Sequence, residues 1–259
     1  MIEKIKGFVA FILDKLGILN LFIKKCYKDT QVIRVINYHR TPDNELATFK
    51  KQLAYYQKHF ENIDYETFAS FMKGDIHLSK PGIILSFDDG LLNNYENAAK
   101  LLEQYHLTGW FFVSTGLCTE PYMSYEDMKN LIKRNHVIGC HTYTHHRMDE
   151  QDTEELLQHE IVDAKNDLEK ALDHPVDVFC WCGGEENTYT KKAQVKIREN
   201  YDWGFMTNSE LVTKETDHYF LERTNVEARW SVSLMKFQIS GIVDDLYKKK
   251  RSHILNKLN

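Results

Sequence analysis

The sequence predicts an α/β protein organised around a parallel sheet. Two patterns carry that expectation. Short, continuously apolar, β-rich runs recur along the chain, and longer segments with helical periodicity separate them. Strands buried on both faces read as unbroken apolar runs, and a helix between consecutive strands lets them pair in parallel. A third observation narrows the class. About six or seven such strand-helix units fit in the chain, which is compatible with a closed or partly closed barrel. In such barrels the chemistry sits at the C-terminal ends of the strands.

The elements follow in order. Residues 32–36 (VIRVI) read as a buried strand, 46–60 as a helix through Leu46, Phe49, Leu53 and Tyr56, and 65–72 as a second short helix. Residues 82–87 (GIILSF) form a strong strand signal opened by Pro81 and Gly82. A helix over 94–106 places Ala98, Leu101, Leu102 and Tyr105 on one face. Residues 109–113 (GWFFV) are the next strand, with Trp110, Phe111 and Phe112 expected in the core. Residues 124–134 are a helix opened by Ser124, with Asp127 three residues on as a capping box. A short strand over 137–140 precedes a long helix over 152–172 whose acidic first turns suit the helix dipole. Strand 176–181, helix 190–199, strand 203–207 and one closing helix over 233–250 complete the chain.

Composition is that of a globular protein: 42% hydrophobic and 27% charged residues, with no linker-like or repetitive tract. The net charge of -5 argues against nucleic acid as a partner. The one dense basic run, Lys248 to Arg251, reads as a solvated helix end. Five cysteines at an odd count and without framework spacing suit a reducing compartment. Residues 1–25 are apolar at helical spacing through Ile2, Ile5, Phe8, Val9, Ile12 and Leu16, but Asp14 and Lys15 split the run. It is too broken for a membrane span and carries no cleavage site. The expectation is a helical segment over 1–30 that packs on the domain or lies in a membrane surface, followed by a catalytic domain over 31–259. The expected location is cytoplasmic, with peripheral contact at the inner membrane through residues 1–25 as the companion reading.

Two strand ends carry chemistry. After GIILSF come Asp88, Asp89 and Gly90. On an extended strand the two carboxylates point oppositely, so a turn is needed before both serve one site. One can then bind a metal while the other stays free as a base. The same triplet also suits an ordinary polar turn. After the strand over 137–140 comes His141-Thr142-Tyr143-Thr144-His145. A His-x3-His pair shares a face on a helix and can also converge in a tight loop. Two imidazoles and a carboxylate suit zinc or another divalent ion with positions left open. A structural zinc site made of Cys140, Cys180 and Cys182 is the weaker alternative, because pairs one residue apart chelate poorly. Glu185 and Glu186 read as a solvated loop.

These residues resemble the motifs of the polysaccharide deacetylase (NodB-homology) family. Ser86-Phe87-Asp88-Asp89-Gly90 is similar to its first motif, T/S-F-D-D-G, and Gly139 to His145 resembles its second, H-S/T-x-x-x-H. Val35-Ile36-Asn37-Tyr38-His39-Arg40 is similar to the Y-H-R opening of members near this branch. The resemblance covers roughly residues 31–230. It implies a distorted (β/α) barrel with about seven strands, Asp88 as catalytic base, and Asp89, His141 and His145 as ligands of one divalent ion, zinc foremost. The third motif, usually R-P-P-Y-G, is matched only in part by Phe179-Cys180-Trp181-Cys182-Gly183-Gly184. There Gly184 matches the closing glycine, Trp181 is the expected aromatic wall for substrate, and the Gly183 N–H is the expected oxyanion donor. The usual arginine is absent, and Arg223 is the candidate to supply its charge beside Asp88. The Leu-x-His that closes the family pattern is not visible. His39 and His218 are the candidates to replace it, with His39 also expected to contact substrate.

The function implied is metal-dependent removal of N-acetyl groups from amino sugars in a polysaccharide or lipid-linked glycan. A deformylase, an O-acetyl esterase and a catalytically inactive glycan-binding barrel are the alternatives. The incomplete motifs favour the last; the retained Asp88 argues against it, since binding alone needs no free base.

Overall fold

The computed structural model describes residues 2–258. Its strands are β1 (Ile33–Tyr38), β2 (Glu61–Asn62), β3 (Gly82–Phe87), β4 (Gly109–Val113), β5 (Val137–Cys140), β6 (Val178–Cys180), β7 (Trp203–Met206), β8 (Leu211–Val212), β9 (Leu221–Glu222) and β10 (Thr224–Asn225). Eight of them run in the order β10-β1-β3-β4-β5-β6-β7-β9, all pairs parallel. β9 and β10 flank a single residue, Arg223. One short stretch of chain therefore pairs with β7 on one side and β1 on the other, and so closes the barrel. Seven runs of chain form its wall, as the family resemblance implied.

Side-chain alternation along the strands splits the core in two. Val35, Ile84, Trp110, Phe112, Cys180 and Phe205 fill the barrel. Tyr38, Leu85, Phe87, Phe111, Cys140, Phe179 and Trp181 point outward into the layer beneath the helices. Both layers are nearly free of solvent, which is how continuous apolar runs become strands buried on two faces. Gly139 is needed for close approach: a Cβ there would lie 2.5 Å from the Phe112 ring.

The predicted helices are present with three differences. The segment expected as one helix over 94–106 opens with a π-helical stretch, Asn94–Ala99, and the long helix after Thr153 contains another, Gln158–Asp163. The closing helix is two, Val232–Ile239 and Ile242–Leu258, broken where Gly241 takes φ 87°. Its basic run is solvated only in part: Lys248 and Lys249 are exposed, whereas the next two residues are engaged. Arg251 is buried and donates to the Asn208, Ser209 and Asp244 carbonyls, and Lys250 reaches the Gly184 carbonyl. The chain's first helices, Ile2–Lys15 and Ile18–Cys26, lie against Val232–Ile239. No described helix is long and apolar enough to cross a membrane.

Candidate active site

The inward-pointing residues at the C-terminal strand ends line a cleft of about 410 Å³. β1 contributes Asn37 and His39, β3 leads to Asp88 and Asp89, β5 leads to His141 and His145, and Gly183 follows β6. Thr207 follows β7, and Asn225 lies on β10.

Asp88 continues the inward alternation of Ile84 and Ser86 and is 3% exposed. The chain then turns. Asp89 takes φ 69°, as does Gly90, and this swings the second carboxylate into the same mouth. The turn that the two adjacent acids require thus begins at Asp89 itself. A non-glycine residue in this region costs on the order of 1 kcal/mol and persists where the surroundings hold it. Thr142 and His145 also have positive φ, 66° and 64°. The His-x3-His pair therefore lies in a tight loop, not on a helix. Glu160 holds that loop: its buried carboxylate accepts from the Tyr143 and Thr144 amides, both at 2.9 Å, and from Thr144 Oγ1 at 2.7 Å.

Asp89, His141 and His145 converge. Asp89 Oδ1 lies 3.1 Å from His145 Nε2 and 3.8 Å from His141 Nε2. His141 Nδ1 lies 2.8 Å from the Cys180 carbonyl, which makes it the protonated nitrogen and leaves Nε2 with a lone pair toward the cleft. This donor set of two imidazoles and a carboxylate fits a divalent ion with positions left open for water and substrate. Burial lowers the pKa of His141, which keeps the ring neutral, the state a ligand requires. The hydrogen bond from His145 to Asp89 raises that of His145.

Sulfur-bearing groups also come together here: His141, His145 and Cys182 offer ligand atoms within 4.8 Å of one another, as do Asp88, His141 and Cys180. Neither thiol lines the cleft. Burial lifts both pKa values well above the usual thiol range, and each Sγ is directed at a backbone carbonyl, Cys182 at His141 and Cys180 at Trp181. The carboxylate set opens on the cleft and is the one suited to hydrolysis.

Arg223 stands against Asp88. Its Nη1 and Nη2 donate to the two carboxylate oxygens at 2.6 and 2.8 Å, and it is itself fixed by Ser86 Oγ, the Met206 carbonyl and Thr207 Oγ1. Burial pushes the Asp88 pKa up, but the guanidinium, with His141 and His39 behind it, outweighs this and holds it well below the usual carboxylate range. Asp88 remains ionised and hydrogen-bonded away from the Asp89–His141–His145 cluster.

Other expected residues fall differently. Trp181 is not a cleft wall. It is 1% exposed and packs between Phe179 and Tyr189, with ring centroids 6.1 and 5.2 Å away. Two residues beyond Phe179, it shares that residue's outward direction. His218 lies at the opposite end of the barrel, 4.3 Å from the Trp203 ring at the start of β7, so it cannot serve the site. His39 lines the cleft, its carbonyl held by Asn94 Nδ2 at 2.9 Å. Gly183 lines it with φ 83°, while the Gly184 N–H is taken by Glu185 at 3.1 Å. Glu185 is solvated, as expected, and also stands on the cleft rim, 3.4 Å from Arg147. Sequence reasoning missed Asn37, Arg147, Thr207, Asn225, Tyr247 and Lys250. Of these, Asn37 was the accessible one, since it shares an inward face with Val35 and His39.

A parallel barrel whose mouth gathers two imidazoles and a carboxylate beside a separate ionised acid brings together the groups that amide hydrolysis uses. Residues 75–199 match the family model described as polysaccharide deacetylase, hydrolases of the amide bonds of acetylated sugars. The matched segment holds Asp88, Asp89, His141, His145 and Gly183 but stops short of Arg223. The chain is 25% identical over 206 residues to YxkH of Bacillus subtilis (strain 168), a protein named as a polysaccharide deacetylase; the match covers 77% of this chain and 73% of that one. Among solved structures, it is similar to the Streptococcus pyogenes deacetylase PplD in complex with acetate (TM-score 0.70, 20% identity, 82% of this chain and 99% of that one). It is also similar to IcaB from Ammonifex degensii (TM-score 0.68, 21% identity, 83% and 97%). These likenesses show that the fold is shared.

Proposed function

We propose that the chain hydrolyses N-acetyl groups from amino sugars of a glycan, with one zinc ion held by Asp89, His141 and His145. The observation that carries this is the Asp88–Arg223 pair beside that cluster. A protein that only bound glycan would have no use for a buried carboxylate kept ionised at the cleft floor. A bound divalent ion supplies Lewis acidity, acidifying water and polarising a carbonyl.

The chain's own residues supply the rest. Asp88 accepts the proton of the attacking water, and Arg223 keeps its two oxygens oriented and charged. Because Asp88 has low proton affinity, it is a weak base and is suited to a water already made acidic. Backbone at Gly183 is the donor for the developing oxyanion. His39 is the cleft histidine outside the ligand set and is assigned as proton donor to the leaving amine. Acetate and a free amino sugar result. The cytoplasmic location is part of the same proposal, supported by five unpaired thiols.

The test is acetate release from N-acetylated amino-sugar oligomers by zinc-loaded protein, compared with O-acetylated and N-formylated counterparts. Preferred turnover of the N-acetyl substrate is expected. Preferred turnover of either counterpart would reassign the acyl specificity. Glycan affinity without any turnover would make the protein an inactive binding barrel.

A further inference from the structure

The helices Ile2–Lys15 and Ile18–Cys26 are attached to the domain in the opposite sense from an ordinary packed helix. Their two acids are turned to the domain. Glu3 Oε2 accepts from Arg229 at 3.0 Å and Glu3 Oε1 from Trp230 Nε1 at 2.7 Å; Asp14 Oδ2 accepts from Ser233 Oγ at 2.6 Å, and Lys236 closes on Asp14 Oδ1. Small residues complete that contact: Ala10 is buried, and Gly7 lies next to Leu234. Leu19 is buried, but most of the large apolar residues face outward. Of the ten exposed large hydrophobic side chains among the described residues, seven belong to this pair, including Phe8 at 67%, and an eighth, Leu16 at 68%, lies in the turn between the two helices.

Charge is arranged around that face. At 100° per residue, Ile5, Phe8, Val9, Ile12 and Leu16 form one stripe, with Lys4 and Lys15 along one border and Lys6 along the other. Lys24 and Lys25 add to it from the second helix, and all five lysines are exposed. Both acids of the segment, Glu3 and Asp14, are tied to cations of the domain. The outward surface is therefore apolar at its centre and cationic at its borders. That is the chemistry of a helix lying in an anionic lipid interface, where the stripe enters the acyl boundary and long lysine side chains reach the headgroups.

The face also lies beside the cleft. A second depression of about 320 Å³ is lined by Lys6, Phe237 and the exposed Leu246, and shares Thr207, Asn225 and Tyr247 with the catalytic cleft. We propose that the first two helices dock the protein on an anionic bilayer surface, so that the barrel mouth meets a membrane-borne glycan. The docking stands on the surface described; only the nature of the glycan rests on the deacetylase reading.

Full-length protein is mixed with phosphatidylcholine vesicles with and without phosphatidylglycerol, and the bound fraction is measured by sedimentation. Binding to the anionic vesicles is expected, falling about tenfold or more for Phe8→Ser with Leu16→Ser. Preference for the anionic lipid should disappear for Lys4→Gln, Lys6→Gln and Lys15→Gln combined. Thermal melting and hydrolysis of a soluble acetylated oligomer should match wild type in both variants, which confirms an intact fold. Absence of binding to either vesicle, or equal binding by wild type and the apolar variant, overturns the proposal. A concentration-dependent dimer lost in the apolar variant, with no vesicle binding, would assign the face to a second copy. Failure to hydrolyse the soluble oligomer, with vesicle binding intact, would remove the deacetylase reading and leave the docking surface standing.

Discussion

Two buried arginine–aspartate pairs sit on the barrel wall, and their chemistry is nearly the same. Arg223 holds Asp88 through two bonds of 2.6 and 2.8 Å; Arg34 holds Asp244 through two of 2.9 and 2.8 Å. Both guanidinium side chains are fully buried. What differs is the company. Arg34 lies on the outward face of β1 and ties together Tyr27, Thr224 and the helix Ile242–Leu258. Every contact there joins one element to another. Arg223 lies on the inward face, at the point where the barrel closes, and its partner opens on a cleft with three further ligand-type side chains. A buried ion pair is therefore no mark of function by itself. The open cleft and the convergent imidazole and carboxylate groups make the distinction.

That contrast can be broken by experiment. The largest effect is expected at Asp88→Asn, which preserves shape and metal content but cannot accept a proton. Turnover should fall by about a hundredfold to ten-thousandfold. Wild-type turnover would sink the assignment of Asp88 as base. Arg34→Met should do the reverse: kcat per folded molecule unchanged, and stability to denaturant lower by about 3 kcal/mol. That is the low end for a broken buried pair, because Asp244 keeps 16% exposure. A fall in kcat without loss of stability would erase the distinction between the pairs.

Glu222 tests the closing strand from its other face. It is buried, accepts from the Asn208 amide, and burial lifts its pKa to about 7. Its folded pKa lies above the unfolded value near 4.5, so the folded state holds the extra proton. Stability from this group is fully present below about pH 4.5 and is lost as pH rises to about 7. Glu222→Gln, which keeps an acceptor oxygen, should therefore be more stable than wild type at pH 8, by at most about 3 kcal/mol, with no gain at pH 4. Melting curves at the two pH values decide it; an equal difference at both would reject the titration. The smallest effect is expected at Glu160→Gln, which weakens the support of the His141–His145 loop. Zinc affinity should drop about tenfold to a hundredfold in a competition titration, with little change in melting temperature of the zinc-free protein. Unchanged affinity would show that the loop holds its form without Glu160.

Much of the barrel wall was legible because burial on two faces writes itself into consecutive apolar residues. Strands β3, β4 and β5 lie at the positions their apolar runs predict. The segments that escaped were β2, β8, β9 and β10, of two residues each, too short for any period to register. The π-helical stretches escaped for another reason. They shift the helical register by one residue and supply Asn94 and Glu160, whose bonds hold His39 and the histidine loop, yet nothing in composition marks them. Trp181 was misplaced because a motif match assigned it a role that strand alternation denies.

The sequence alone determined what depends on neighbouring residues. Strand and helix periods and the Ser124–Asp127 capping box are set by local backbone geometry. The tertiary structure decided which distant residue meets which. Arg223 and Asp88 are 135 positions apart, and only barrel closure through β9 and β10 brings them together. Which lysines of the basic run are solvated, and which way the first helices face, were likewise settled by the surface each packs against. The physical reason is common to all three. A period is a property of one segment, whereas a contact between segments depends on the position and direction of both, and no single stretch of sequence carries that information.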